Sequence, residues 1–167
     1  MIKKYLIFTL FLLFFNNTSF GAASNGQGTL TKKKSNQNYY ILAEETIKRA
    51  KKLENKNKIK KAKKNYKKAI KYLLKSNAEF PAKADTLNLL GFTHRKIGDF
   101  ENAEIYYELG LMLEPNHFGI NEYLGELYVQ TNRINKAKER LKVLENCECE
   151  EFNELKEVIE GTKKSKY

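Results

Sequence analysis

Apolar and small residues recur along this chain at steps of three and four, and the whole pattern returns about every thirty-four residues. Spacing of this kind places the apolar side chains on one face of a helix, and strand-like alternation is absent. The three copies read Asn65-Tyr66-x-x-Ala69-x-x-x-Leu73, Asp99-Phe100-x-x-Ala103-x-x-x-Tyr107 and Arg133-Ile134-x-x-Ala137-x-x-x-Leu141. A fixed period of this length is typical of helical arrays, so the pattern predicts an all-α domain of stacked helix pairs.

The middle copy has the sharpest pattern. Its first helix carries four residues on one face, and the absent side chain of Gly91 lets the second helix approach closely, at the level of Ala103. Gly98-Asp99 forms the turn with Asp99 as the helix cap, and Pro115 follows the second helix. The four residues are Leu87, Leu90, Gly91 and His94. With these residues in these places, the stretch from Ala84 to Pro115 resembles a tetratricopeptide repeat at almost every position.

The resemblance implies a right-handed superhelical array of about three helix pairs with a C-terminal capping helix. It places the domain at residues 39–161, with repeat 2 at 84–117, repeat 3 at 118–146, a capping helix at about 150–161 and a flexible tail at 162–167. The capping helix would cover the last apolar face. The chain as a whole resembles small exported bacterial proteins, of the proteobacterial kind, that carry three such repeats and have no assigned activity.

Repeat 1, at about 40–80, admits two registers. The strict period aligns Tyr66 with Phe100 but leaves a first helix with few apolar residues. A register shifted by 7 residues, two helical turns, keeps the apolar stripe on the same face. We favour the shifted register, with a helix at about 40–54, a turn at Asn55-Lys56-Asn57 and a long second helix to about 77.

The first 23 residues have the features of a secretory signal peptide. Lys3 and Lys4 precede an uncharged, mostly apolar run from Tyr5 to Phe15, and small residues follow at cleavage spacing. The run is short for a bilayer, which needs about 20 residues, and an uncleaved membrane anchor is the alternative. Residues 24–38 carry little apolar surface and are predicted to be a disordered linker. We therefore expect an exported, most simply periplasmic, protein that starts near Ala22 or Ser24.

The net charge of +11 is unevenly distributed. Residues 24–75 contain 17 Lys or Arg residues against 3 acidic ones, whereas residues 76–167 contain 12 against 17. A lysine cluster on one helix would suit an anionic envelope surface, although the alternative is a solvated face in a chain rich in Lys, Asn and Ile throughout. Nucleic acid is not an expected partner, because Arg residues are few. The cluster comprises Lys60, Lys61, Lys63, Lys64, Lys67, Lys68, Lys71 and Lys75.

Cys147 and Cys149 lie just before the capping helix. In an oxidising compartment an even number of cysteines favours a disulfide. Free or intermolecular thiols and a metal site are the alternatives, although two ligands one residue apart are too few for a metal. No metal or cofactor is predicted.

The sequence predicts a binding protein and not an enzyme. It has no nucleophile elbow, zinc-protease signature or phosphate-cradling loop, and no catalytic residue is assigned. First helices line the concave groove of such arrays, where a protein partner would lie as an extended peptide or a helix held by Phe92, the one exposed aromatic, and Arg95. An electrostatic envelope module and a thiol or metal module are the alternatives. The expected groove residues are Asp85, Asn88, Phe92, Arg95, Lys96, Glu122, Glu126, Val129 and Gln130.

Overall fold

The computed structural model describes residues 27–163, with side chains from residue 39 onward, and these residues form helices without a strand. The helices are α1 (Gln27–Glu54), α2 (Ile59–Glu79), α3 (Ala84–Ile97), α4 (Phe100–Leu113), α5 (Phe118–Gln130), α6 (Ile134–Val143) and α7 (Glu150–Glu160). The fold class expected from the sequence, an all-α helical repeat array, is confirmed. The predicted signal peptide, residues 1–23, and residues 164–167 lie outside the described part of the chain.

The helices pack as consecutive pairs. α1 packs on α2, α3 on α4 and α5 on α6, each pair contacts the next, and α7 closes the array against α5 and α6. Gly91 of α3 allows one of these close approaches, because a Cβ there would overlap the ring of Tyr107 on α4. The sequence placed this approach at Ala103, one turn earlier. The difference arises because the buried tyrosine ring, and not the small residue, reaches across to the glycine.

The first pair has the shifted register. α1 ends at Glu54, residues 55–57 turn, and α2 begins at Ile59. Asn57 adopts a left-handed conformation with φ of 56° in this turn, which asparagine tolerates better than most residues.

α1 begins at Gln27, so most of the predicted disordered linker, residues 24–38, is helical. The linker prediction was wrong over residues 27–38. The linker prediction considered only how much surface this segment can bury. The packed part of α1 has already paid the cost of helix nucleation, and extending a helix costs far less free energy than starting one. The lysines and glutamine of this stretch are also good helix formers.

Polar side chains cap the amino-terminal ends of α4 and α5. Asp99 caps α4 by accepting a hydrogen bond from the Asn102 backbone N–H at 3.4 Å, and His117 caps α5 by accepting one from the Ile120 N–H at 3.2 Å through Nδ1. Because His117 accepts through Nδ1, its Nε2 carries the proton and donates to Asp85 at 3.2 Å.

The predicted flexible tail, residues 162–167, begins with two residues that are held in place. Gly161, with φ of 73°, turns the chain back over the end of α7. The Thr162 hydroxyl then donates to the Glu157 carbonyl at 3.1 Å, and Lys163 Nζ lies 2.6 Å from Glu154. These two residues of the predicted tail therefore contact α7.

Two apolar clusters form the core. Tyr66 and Leu73 of α2 meet Leu90 of α3 in the first, and Tyr107 of α4 meets Leu124 of α5 in the second. Within residues 27–163, no helix has the length and apolarity needed to cross a membrane.

Candidate functional site

Phe92, the expected exposed anchor of the groove, is buried, with 1% of its surface exposed. Its ring centroid lies 6.0 Å from that of Tyr66 and 5.6 Å from that of Tyr123, which makes a row of three rings across α2, α3 and α5. Lys51 of α1 covers the remaining face, with Nζ 4.6 Å from the ring centroid. The prediction that this aromatic is exposed was wrong, because side chains from both neighbouring repeats close over this position.

Arg95 is also buried and is bound to its neighbours in the array. Its guanidinium lies 2.6 Å from the Glu126 carboxylate, and their side chains are 1% and 0% exposed. It also donates to Gln130 Oε1 at 3.1 Å and to the Tyr123 carbonyl at 3.3 Å. The three groove residues Arg95, Glu126 and Gln130 therefore join α3 to α5, and the guanidinium of Arg95 is bound within the array instead of being exposed in the groove.

A second ion pair joins α3 to α1. Lys96 Nζ lies 2.6 Å from Glu54, and the Lys96 side chain is 3% exposed. Burial lowers the pKa of Lys96, while the Glu54 carboxylate acts in the opposite direction. Both ion pairs join successive first helices, α1 with α3 and α3 with α5, so opposite charges on successive first helices were the sequence signal for this closure.

The nine predicted groove residues thus divide into two groups. Those at the centre of the groove are buried, and those at its ends and edge remain accessible. The buried residues are Phe92, Arg95, Lys96, Glu122 and Glu126, the half-buried ones Asn88 and Val129, and the exposed ones Asp85 and Gln130.

An open cleft lies between α1 of the first helix pair and α3 of the second. Its volume is 360 Å³, within the range of about 300–1,000 Å³ that is common for ligand pockets. Ile47 and Leu89 provide an apolar floor, and lysines of α1 form the rim. The lining residues are Glu44, Ile47, Lys48, Lys51, Lys52, Asn55 and Leu89. Periodicity in the sequence gave no indication of this cleft, because it does not determine the spacing between α1 and α3.

Charge changes sign along the cleft. At one end, burial and the nearby Asp85 carboxylate raise the pKa of Glu44. Burial, followed by Glu44 and Asp85, raises the pKa of the neighbouring Tyr40 to about 12. The other end carries the exposed Lys48 and Lys52. A bound segment would therefore meet carboxylates at one end and ammonium groups at the other.

Comparison with known proteins agrees with this architecture. Residues 84–117 match the tetratricopeptide repeat family. A 56-residue stretch is 38% identical to the protein described as "Uncharacterized protein ycf37" of Guillardia theta, and covers 34% of this chain. The chain spans about a third of that relative's length, 32%. Proteins built from tetratricopeptide repeats generally bind other proteins, and the matched repeat contributes Leu89 to the lining of the cleft.

The lysine cluster of α2 lies on the face opposite the core. All eight of its lysines are exposed, while Ala62, Tyr66, Ala69 and Leu73 on the same helix are buried. Two of the lysines lie over aromatic rings, Lys68 5.6 Å from Tyr72 and Lys75 5.2 Å from Tyr39. The accessibility expected for this face is therefore present in the structure.

Cys147 and Cys149 are joined by a disulfide, and Cys149 is the residue at the amino-terminal cap of α7. Of the possibilities left open by the sequence, the structure has the intramolecular bridge. Among the described residues, no group of His, Cys, Asp or Glu side chains is arranged to hold a metal ion.

Proposed function

We propose that this chain is an exported protein-interaction module that holds an acidic peptide segment of its partner in the cleft between α1 and α3. One observation carries the proposal. The cleft between α1 and α3 has an open apolar floor, Ile47 with Leu89, and the lysines of α1 border it. At the centre of the groove, by contrast, Phe92 and Arg95 are buried among their own neighbours.

The chemistry of the cleft defines the segment. An apolar side chain would fill the space above Ile47 and Leu89, and burying it supplies the affinity. Carboxylates next to that side chain would lie near Lys48 and Lys52, which supply orientation and speed of association more than affinity. The opposite end of the segment would carry a positive or neutral group, because Glu44 and Asp85 lie there.

Affinity for such peptides is expected to depend on this cleft. A phage-displayed random peptide library, selected against the full chain, should yield sequences with Leu, Ile or Phe beside Asp or Glu. In a fluorescence anisotropy titration with the best selected peptide, Lys48→Glu with Lys52→Glu should weaken binding at least about tenfold, since like charges would then face each other. Leu89→Asp should abolish binding by placing a charge on the floor.

The matched control is Lys60→Glu with Lys64→Glu, which reverses two exposed lysines of α2 away from the cleft. This control should leave the titration unchanged. Selected peptides without acidic residues, or equal losses in the cleft variant and the control, would show that the partner binds elsewhere.

Export is supported by two independent features. The first 23 residues have the charge and apolar pattern of a signal peptide. The Cys147–Cys149 disulfide is of the kind that persists in oxidising compartments.

Intact-protein mass spectrometry of the chain purified from its own cell envelope tests export. We expect the mass of a chain that begins near Ala22 or Ser24. On reduction this mass should increase by that of two hydrogen atoms, because the Cys147–Cys149 bridge opens. A mass that retains residues 1–21 would favour the uncleaved anchor, and a mass that does not change on reduction would show that the two cysteines are free thiols in the cell.

A further inference from the structure

α4 exposes an apolar stripe that no described part of the chain covers. Ile105, Leu109 and Met112 stand one or two turns apart on one face, and they are 46%, 43% and 78% exposed. Leu113, 44% exposed, widens the stripe at its end. Met112 is the most exposed of the large apolar residues in the described part of the chain, and a contiguous exposed stripe marks an interaction surface more often than scattered residues do.

The stripe has an acidic border. α4 carries Glu101, Glu104 and Glu108 and no Lys or Arg between Phe100 and Leu113. Arg133 of the same chain neutralises Glu104, with Nη1 2.7 Å from its carboxylate. Glu101 and Glu108 are both exposed: Glu101 lies one turn before Ile105, and Glu108 lies one turn after Ile105 and one turn before Met112.

The chain itself carries the complementary surface. The exposed face of α2 presents eight lysines and one exposed leucine, Leu74, against a single acidic residue of that helix, Glu79. Lysine stems are four methylenes long, so they can cover an apolar stripe while their ammonium groups reach carboxylates at its border. Both α2 and α4 are the second helices of their pairs and bury their other faces against first helices.

We propose that the α4 stripe binds the lysine face of α2 from a second copy of this chain. Around a twofold axis, α4 of each copy would lie on α2 of the other, so that both stripes are covered and both charge patterns are matched in one closed dimer. This surface is separate from the α1–α3 cleft, so the dimer proposal does not depend on whether the cleft binds a peptide.

Charge-reversal variants test the dimer by sedimentation velocity of the full chain over a concentration series. Glu101→Lys with Glu108→Lys, and separately Lys67→Glu with Lys71→Glu, should each weaken self-association at least about tenfold, because like charges meet at both contacts. An equimolar mixture of the two variants should dimerise again, since each acidic surface then faces a basic one. Circular dichroism verifies that both variants are folded.

Leu109→Ser tests the apolar part, and Val143→Ser on α6 is its control, because the two side chains are similarly exposed at 43% and 39%. Only the first should weaken the dimer. A parent chain that stays monomeric at all concentrations, or a mixture that fails to restore the dimer, overturns the proposal. Binding of the monomeric parent to phosphatidylserine vesicles, lost in Lys67→Glu with Lys71→Glu, would assign the α2 face to a membrane surface instead.

Discussion

The Glu126→Ala variant is expected to be less stable than the parent chain by about 3–5 kcal/mol, the usual cost of removing one partner from a buried ion pair. Arg95 would keep its donations to Gln130 and to the Tyr123 carbonyl, but its charge would lose the carboxylate 2.6 Å away. Because the guanidinium is buried and always charged, it can neither reach water nor become neutral. Urea unfolding followed by circular dichroism measures the difference.

The double variant Arg95→Met, Glu126→Leu distinguishes the effect of an unpaired charge from the effect of lost packing. It removes both charges and keeps most of the volume, so it should be far closer to the parent in stability than Glu126→Ala. A Glu126→Ala variant as stable as the parent would mean that water or another group replaces the carboxylate. If the double variant unfolded as readily as the single one, packing and not charge would explain the loss.

The Phe92→Ala variant is expected to lose about 3–5 kcal/mol of stability, as other buried aromatic truncations do. Phe92 touches Tyr66 on one side and Tyr123 on the other, so its removal opens a cavity between the first and third helix pairs. Phe118→Ala is the matched control, because Phe118 is 45% exposed at the start of α5 and should cost well under 1 kcal/mol.

Thermal and urea unfolding of both phenylalanine variants decide the role of Phe92. If the Phe92→Ala variant were as stable as the parent chain but no longer bound the peptide, Phe92 would contact the ligand directly. Any loss of binding that accompanies partial unfolding is explained by the core.

Helix positions followed from the sequence because they rest on local physics. The spacing of Tyr66, Ala69 and Leu73 defines a buried face, and the turn at residues 55–57 follows from Asn-Lys-Asn between two apolar runs. Asp99 was expected to cap α4 for the same reason, since a short acidic side chain can accept from the first free N–H groups.

The burial of the groove residues could not be predicted from the sequence. Periodicity places Phe92 on the concave face, but it carries no information about how near the neighbouring first helices come to it. The burial of Phe92 depends on Lys51 and Tyr123, which lie on other repeats. The apolar spacing of Ile105, Leu109 and Met112 is visible in the sequence, yet only the packing of the array shows that nothing in the described chain covers it.

The two ion pairs and the row of rings also affect how the array unfolds. A repeat array is commonly a one-dimensional chain of units whose ends can open separately. Here Glu54 with Lys96 ties the first unit to the second, and Arg95 with Glu126 ties the second to the third. Opening either end breaks one of these ion pairs and uncovers one side of the Phe92 ring, so partly folded forms lose contacts on both sides of the boundary. The backbone amides of α3, at the centre of both ties, should exchange their hydrogens only when the whole domain unfolds.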